Sequence, residues 1–336
     1  MGTDCLVRGD GEAAAADRLW ANLRWYGLDD DVDTTRLSVI AGDLAEPALG
    51  LSEAAFDALA RNIDVVYHAG ATVNWLLPYA SVRPANVGGT REILRLAARH
   101  RTVPVHYVSS TGVFPQVPTS APLAVADPIG PAEALLNGYV QSKYVAEHVV
   151  ALARERGMPV SVYRVDLIAG DAIRGAGQTR DFLWLSLKGL LQAGAVPAHL
   201  PGTFHLLPVD YVGAAIVALS GEPANAGRTF HLYNDSGMPF GEFVRLLREH
   251  GYELPALDRA VWSGRVRADR DNALIPLLDA FELMCSGAGQ FYPPIDTSET
   301  RTALAGTGIA CPPMTDDLIR SYIRFFVRTG YFPPPR

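Results

Sequence analysis

The sequence predicts an α/β protein with a doubly wound parallel sheet and a smaller, mainly helical part toward the C-terminus. Two observations carry this prediction. Apolar segments typical of strands alternate five times, over the first half of the chain, with segments whose apolar residues recur at helical spacing. The strand segments VIAG, DVVYH and VPVHYV are apolar almost throughout, as expected where helices cover both faces of a sheet.

Local signals set the bounds of the elements in this first half. Gly27 ends a first helix, Gly42-Asp43 ends the second strand, and Ser52 is an N-cap for the helix that follows. The predicted strands are 4–8, 37–41, 64–68, 103–108 and 159–164, and helices are predicted at 12–26, after Ser52, at 86–99 and at 139–156.

The pattern changes near residue 170. We therefore predict a sheet domain over 1–170, with strand contributions from about 204–234, and a mainly helical domain over 171–336. The second part is predicted to contain helices at 181–192, 240–250, 269–283, 297–305 and 315–329 and strands at 204–208 and 228–233.

Composition restricts the class of protein. The 336 residues carry 29 Lys+Arg against 36 Asp+Glu, a net charge of -7, which argues against nucleic acid as a partner. No apolar run approaches the length of a membrane span, and the N-terminus has no signal-peptide pattern. Three widely spaced cysteines give no metal-binding spacing. We expect a cytoplasmic protein that holds no metal and contacts no membrane.

The most informative local pattern is Tyr139-Val140-Gln141-Ser142-Lys143. A tyrosine and a lysine four residues apart lie on one face of a helix. An ammonium beside a phenol lowers the phenol pKa, so that Tyr139 is expected to donate a proton to a developing alkoxide, while Lys143 bonds a ribose hydroxyl. Taken alone, the same spacing also describes an ordinary pair on a helix surface.

Polar and small residues follow three other predicted strands. Ser109-Ser110-Thr111 ends one of them, Asp43 another, and the small-residue turn His68-Ala69-Gly70 a third. Ligands of open α/β sheets bind at the carboxyl ends of the strands, where a hydroxyl can hold a carbonyl oxygen and small residues admit a cofactor. Each feature by itself is also compatible with a simple tight turn.

Two arginines near the N-terminus favour a phosphorylated dinucleotide. An arginine after a strand of a dinucleotide fold accommodates a 2′-phosphate, so Arg8 favours NADP over NAD. Arg18, on the next helix, is a candidate second phosphate ligand, although a solvated surface arginine is the alternative.

With these motifs the sequence resembles the extended short-chain dehydrogenase/reductases of Rossmann type. Within them it is similar to the thioester reductase domains of nonribosomal peptide synthetases and carboxylic acid reductases. The resemblance covers nearly the whole chain and rests on CLVR (5–8), AGDL (41–44), VYHAGATVNWLLPY (66–79), ANVGGT (85–90), HYVSSTGVF (106–114), GYVQSK (138–143), LLPVDYV (206–212) and CPP (311–313).

The resemblance implies a role for each matching position. Tyr139 is the acid, Lys143 tunes it, and the catalytic hydroxyl falls on Ser110 rather than Thr111. With Arg18, the cofactor-binding residues are Arg8, Asp43, Leu44, His68, Ala69, Gly70, Asn86, Tyr139 and Lys143.

The resemblance also implies a reaction and a partner. The chain would use NADPH to reduce an acyl or peptidyl thioester, held on the phosphopantetheine arm of a carrier protein, to an aldehyde, and in a second round to an alcohol. The domain over 1–170 would then bind NADP, and the domain over 171–336 would face the substrate and the carrier protein.

The sequence departs from the family in two places. Val165-Asp166 stands where Pro-Gly is usual, and no glycine-rich GxxGxxG strand-turn-helix precedes CLVR. Such a turn holds a pyrophosphate, and its strand would lie centrally in the sheet. A truncated start, a split module and a degenerate protein are three explanations. Besides reduction we therefore keep two alternatives, a non-reductive release domain and a non-catalytic remnant for docking.

Overall fold

Strands and helices alternate along the first half of the chain in the computed structural model, which describes residues 2–117, 119–286 and 293–335. The strands are β1 (Thr3–Val7), β2 (Leu37–Ala41), β3 (Val66–His68), β4 (Val105–Ser110), β5 (Val160–Val165), β6 (Val196–Pro197), β7 (Thr203–Phe204), β8 (Thr229–Leu232), β9 (Met238–Pro239) and β10 (Ala256–Leu257). The helices are α1 (Glu12–Tyr26), α2 (Glu53–Asn62), α3 (Tyr79–Arg83), α4 (Gly89–Ala97), α5 (Gly138–Glu155), α6 (Phe182–Ala193), α7 (Val209–Gly221), α8 (Phe240–Glu249), α9 (Arg259–Ala268), α10 (Leu278–Ser286), α11 (Ser298–Ala303) and α12 (Asp316–Arg328).

The chain divides into two compact units. Unit 1 comprises Met1–Asp166, Gly213–Leu232 and Pro294–Ala310. Unit 2 comprises Leu167–Val212, Tyr233–Pro293 and Cys311–Arg336. The predicted site residues all lie in unit 1, to which the chain returns twice after its first long segment.

The sheet of unit 1 consists of two parallel pieces. β1 pairs with β2, and a second piece has the order β3-β4-β5-β8. Across the second piece, Val66 lies opposite Val105 and Val105 opposite Val160, so the carboxyl ends of these strands meet at one edge. Over the described ranges the two pieces share no ladder, and the parallel pairing within each piece confirms the predicted parallel α/β sheet.

One hydrophobic core lies under both pieces. Leu6 of β1 and Val66 of β3 pack against the same buried cluster, whose largest members are Phe56 on α2 and Tyr107 on β4. The amphipathic pattern of α4 supplies Ile93 to this cluster. Shared burial therefore holds the two pieces in one unit, although their strands form no ladder with each other in the described part of the chain.

Unit 2 is mainly helical, with two short strand pairs. β6 pairs with β10 in parallel, and β7 with β9 in antiparallel fashion. Trp184 of α6 contacts the rings of Tyr322 and Phe326 of α12, at centroid distances of 5.6 Å and 4.8 Å. The Tyr322 hydroxyl donates to the Gly170 carbonyl at 3.1 Å, which ties α12 to the start of the unit.

Several predicted elements of the second half are wrong. The helix predicted over 269–283 begins only at Leu278, because the Asn272 side chain forms a turn that accepts from the Leu274 amide and donates to the Gly189 carbonyl. The strand predicted over 204–208 is reduced to β7, and α7 and α9 were not predicted. The segment of α7 is apolar nearly all round, so it carries no helical period.

The helix predicted over 86–99 starts earlier and is irregular. α3 begins at Tyr79, and Pro84–Gly88 forms a π-helical turn before α4. A proline lacks the amide that a regular helix needs at that position, which explains why the sequence pattern suggested a later start. The π turn places Asn86, a predicted site residue, in the interior of unit 1.

Candidate active site

The three hydroxyls at the end of β4 have different partners. Ser109 Oγ donates to Oε1 of Glu147 at 2.6 Å, and Thr111 Oγ1 donates to the carboxylate that follows β5 at 3.1 Å; both side chains are buried. Ser110 is half-buried, and its Oγ accepts from the amide two residues further on. Among these contacts Ser110 is thus the hydroxyl with a proton to offer a ligand.

The first turn of α5 is fixed by its cap and by a close approach. Asn137 Oδ1 accepts from the Val140 amide at 3.1 Å, so the helix starts one residue before Tyr139. A Cβ on Gly138 would lie 2.3 Å from the Tyr79 amide nitrogen, so only glycine lets α3 and α5 meet here. The turn after β4 also packs on this first turn of α5, which places Ser110 and Tyr139 at the same edge.

Lys143 is buried one helical turn after Tyr139. Its Nζ donates to the Val108 carbonyl at 2.8 Å and lies 4.9 Å from the centroid of the Tyr107 ring. Burial lowers the pKa of Lys143 to about 8, and the nearby Glu147 carboxylate opposes that shift. The ammonium is therefore held inside the protein, next to the carboxyl end of β4.

The expected lowering of the Tyr139 pKa is wrong for this structure. Burial raises the pKa of the Tyr139 phenol to about 12, because the charged phenolate loses solvation. The Nζ of Lys143 bonds a backbone carbonyl and supplies no compensating shift. At neutral pH Tyr139 is a protonated phenol, which is the form a proton donor needs.

Asn86 connects three segments behind Tyr139. Its side chain accepts from the Thr72 amide at 2.7 Å and donates to the Thr72 carbonyl at 3.1 Å and to Ser142 Oγ at 2.8 Å. Ser142 Oγ in turn donates to the Tyr139 carbonyl at 2.6 Å. The amide thus clamps the loop after β3 onto α5, and its predicted contact with a cofactor stays a prediction.

The residues predicted for the 2′-phosphate come together. Arg8 is exposed just after β1, and Nη1 of Arg18 donates to the Arg8 carbonyl at 3.4 Å. The Arg18 guanidinium therefore lies against the backbone of exposed Arg8 just after β1, and arginine side chains are suited to binding a phosphate.

The turns after β2 and β3 lie against each other. Asp43 Oδ1 accepts from the Ala45 amide at 2.8 Å, which shapes the turn that carries Leu44. Gly70 is exposed, and a Cβ there would lie 2.7 Å from Cδ1 of Leu44. Leu44 also lines a cavity of about 330 Å³ beside the π turn, which includes neither Ser110 nor Tyr139.

His68 faces the interior and its two neighbours face outward. Its Nε2 lies 3.0 Å from Thr90 Oγ1, and burial lowers its pKa to about 3, so the ring is neutral. Ala69 and Gly70 are exposed. Of the predicted turn, only the backbone and the two small residues are placed to meet a ligand.

An ion pair that the sequence analysis missed lies behind these residues. Glu147 and Arg164 bond at 2.9 Å, and both side chains are buried. The signal was present, since Glu147 follows Lys143 by four residues and shares its helix face. The partner on β5 could not be assigned without the fold.

A nicotinamide dinucleotide fits the two ends of this site. The exposed arginines and the Leu44–Gly70 contact suit its phosphorylated adenosine, and Tyr139 and Lys143 suit its nicotinamide riboside. At the diphosphate, the residues described provide no GxxGxxG turn. These same residues contain no cluster of three metal-ligating side chains, and no helix among them is long and apolar enough to cross a membrane.

The fold is that of the extended short-chain dehydrogenase type, and comparisons with known proteins give the family. Residues 4–216 match the family model NAD_binding_4, described as male sterility protein. The chain is 38% identical to the terminal R domain from the myxalamid PKS-NRPS biosynthetic pathway, with a TM-score of 0.92 over 100% of this chain and 86% of that one. The chain belongs to this family and, within it, to the terminal reductase domains of nonribosomal peptide synthetases.

Curated relatives are much longer proteins. A linear gramicidin synthase polypeptide of Brevibacillus parabrevis is 36% identical over 97% of this chain, which spans 6% of that protein. The large subunit of L-2-aminoadipate reductase of Penicillium chrysogenum is 32% identical over 98% of this chain, which spans 25% of it. The chain therefore corresponds to one part of each of these relatives.

Proposed function

We propose that the chain is an NADPH-dependent thioester reductase. It would release an acyl or peptidyl group from the phosphopantetheine arm of a carrier protein as an aldehyde. The observation that carries the proposal is that two half-buried residues with hydroxyl groups, Ser110 and Tyr139, lie at one sheet edge near the buried ammonium of Lys143. The relative named L-2-aminoadipate reductase supports a reduction, and the similarity to a terminal R domain supports a release step.

The residues divide the chemistry between them. Bound NADPH would supply the hydride that adds to the thioester carbonyl carbon. Ser110 and Tyr139 would hold the carbonyl oxygen, and Tyr139 would give its proton to the alkoxide as the carbon–oxygen double bond opens. The Tyr139 phenolate then takes back the hydroxyl proton of the resulting hemithioacetal, the carbonyl re-forms as the carbon–sulfur bond breaks, and the phosphopantetheine thiolate departs from the aldehyde. Lys143 would bond the ribose of the cofactor.

The Tyr139→Phe variant tests the proposal. We expect it to lower kcat for NADPH oxidation by at least about 100-fold with the N-acetylcysteamine thioester of octanoic acid, because the proton donor is lost. Tyr144→Phe is the matched control, since it makes the same change one turn away on α5 and should leave kcat within about twofold of the parent protein. Equal aldehyde formation by Tyr139→Phe and the parent protein would rule the mechanism out.

A second candidate function is a release or docking domain that performs no reduction. It is favoured by one observation, the absence of a ladder between the β1-β2 pair and the β3-β4-β5-β8 sheet among the described residues. Titration of the folded chain with NADPH, followed by cofactor fluorescence, separates the two. Saturable binding that NADP⁺ displaces supports the reductase, and no binding at millimolar cofactor supports this second candidate.

A further inference from the structure

We propose that Glu147 and Arg164 form a positioning pair for the reaction. The pair locks the catalytic face of α5 onto the ends of β4 and β5, and it sets the Glu147 carboxylate one helical turn after the Lys143 ammonium on that face. This inference rests on the proposed function, because that function gives Lys143 its task. It goes further by assigning a role to two residues outside the predicted site.

The pair is almost completely buried, and several hydrogen bonds join its two side chains. The exposed fractions of the Glu147 and Arg164 side chains are 6% and 8%. Arg164 Nη2 donates to Oε2 at 2.9 Å, its Nε lies 3.1 Å from both carboxylate oxygens, and Ser109 Oγ donates to Oε1. Charges buried this deeply persist only when paired, and replacing such a pair by apolar residues often does not reduce stability. Stability alone therefore does not account for it.

Arg164 carries the connection into two further segments. Its Nη1 lies 3.3 Å from the Val125 carbonyl, in the loop after β4, and 3.3 Å from Nε2 of His231 on β8. His231 Nδ1 bonds the Asp296 carbonyl at 3.0 Å and so carries the proton, which makes Nε2 an acceptor. Burial and Arg164 lower the pKa of His231 to about 4, in keeping with a neutral ring.

The pair lies directly behind both parts of the candidate site. Tyr139, Lys143 and Glu147 follow one another at intervals of four, so they share one face of α5. Ser109, which donates to Glu147, is the neighbour of Ser110 in β4. A change in the pair therefore reaches the proton donor through the helix and the oxygen-binding hydroxyl through the strand.

Electrostatics give Glu147 a second effect. The titratable or charged groups around Lys143 are Tyr139 and Glu147 on α5, Tyr107 on β4, His68 on β3 and, behind Glu147, Arg164 on β5. His68 and the two tyrosines are neutral at pH 7, because burial lowers the pKa of the histidine and raises those of the phenols. Glu147 is the anion of this set, and it offsets the burial that favours the neutral amine of Lys143.

The composition of the chain makes the test direct. The sequence contains two lysines, Lys143 and Lys188, so protein labelled with [¹³C]lysine gives two Cε signals, which Lys188→Arg assigns. We expect Lys143 to titrate near pH 8 in the parent protein and about one unit lower in Glu147→Gln. Arg164→Met removes a cation and should not lower the Lys143 pKa. Glu147→Asp keeps the carboxylate, so its Lys143 pKa should lie close to that of the parent protein.

A purely structural pair would give a different result. Glu92→Gln is the matched control, since Glu92 is another buried carboxylate of unit 1 bonded to an arginine, and it should leave the Lys143 pKa unchanged. If Glu147→Gln does not fold, the charge-balanced double variant Glu147→Gln/Arg164→Met takes its place. We expect the Lys143 pKa to be lower in this double variant than in the parent protein. An unchanged Lys143 pKa in a folded variant without the Glu147 carboxylate would overturn the proposal.

The titration needs no substrate, so it is independent of the proposed reaction. Where the parent protein turns over a thioester, the alkaline limb of the kcat/KM profile should move to lower pH in Glu147→Gln and not in Arg164→Met. Loss of activity in both variants with no shift of either limb would mean that the pair only maintains the fold. If the parent protein is inactive but the Lys143 pKa falls as expected in Glu147→Gln, the proposed function is wrong and the role of the pair stands.

Discussion

The two ends of the proposed cofactor site are built in different ways. At the catalytic end, defined by Ser110, Tyr139 and Lys143, the ammonium is buried and bonded to a backbone carbonyl. At the adenosine end, defined by Arg8, Arg18, Asp43 and Leu44, both guanidinium groups are exposed. The catalytic end is therefore ordered by packing before any ligand arrives, whereas the adenosine end offers charge without an enclosing structure.

The difference follows from what each end has to do. A group that must act on one atom gains from a fixed position and low solvation, because its electrostatic effect is then large and needs no reorganisation. A group that attracts a phosphate gains from exposure, since a cation on the surface acts over a distance of several ångströms. Substitutions at the catalytic end should change rate and stability, and those at the adenosine end affinity alone.

The largest effect within this comparison is expected for Ser110→Ala. Loss of a hydrogen bond to the developing oxyanion should lower kcat about 100-fold, and loss of the cap on the amide two residues further on should cost about 1 kcal/mol in the free energy of unfolding. Thr111→Val is the control, because Thr111 donates inward to a carboxylate. This variant should lower the free energy of unfolding and change kcat little. Parallel measurement of kcat and thermal unfolding separates them, and the reverse result would move the catalytic hydroxyl to Thr111.

Asn86→Leu should produce the next largest effect, on stability. The change leaves the Thr72 backbone groups and Ser142 without their amide partner, at a cost of about 2–3 kcal/mol in the free energy of unfolding by urea. Asn74→Ala removes an exposed amide that accepts from the Leu76 backbone, and should cost less than about 1 kcal/mol. Equal losses would show that the catalytic end is not held by its buried bonds.

The same contrast explains what the sequence could reveal. Periodicity and caps predicted the parallel strands, and the Ser52 cap is confirmed by its bond to the Ala55 amide. The motif predicted Tyr139 and Lys143 on one face of α5. It could not predict the pKa of Tyr139, which depends on burial, nor the pairing of Glu147 with Arg164, which depends on two elements meeting in space.

The sequence pattern also could not predict elements that lack a helical period or that a side-chain hydrogen bond interrupts. The Asn272 turn that delays α10 depends on a bond to the Gly189 carbonyl, far away in the sequence. The π turn at Pro84–Gly88 begins at a proline, and its Asn86 side chain bonds the loop after β3. Both irregular places include a buried amide that bonds a segment distant in the sequence, which a pattern of apolar residues does not report.

The smallest effects are expected at the adenosine end. Arg8→Ala should weaken NADPH binding about 10-fold and leave NADH binding unchanged, because only the former carries the 2′-phosphate. Arg18→Ala should weaken NADPH binding about threefold, since exposed charge contacts contribute little. Fluorescence titration with each cofactor at fixed ionic strength measures both. Equal weakening of NADH and NADPH by Arg8→Ala would mean that the arginine supports the end of β1 rather than the phosphate, and the two ends would then differ less than their exposure suggests.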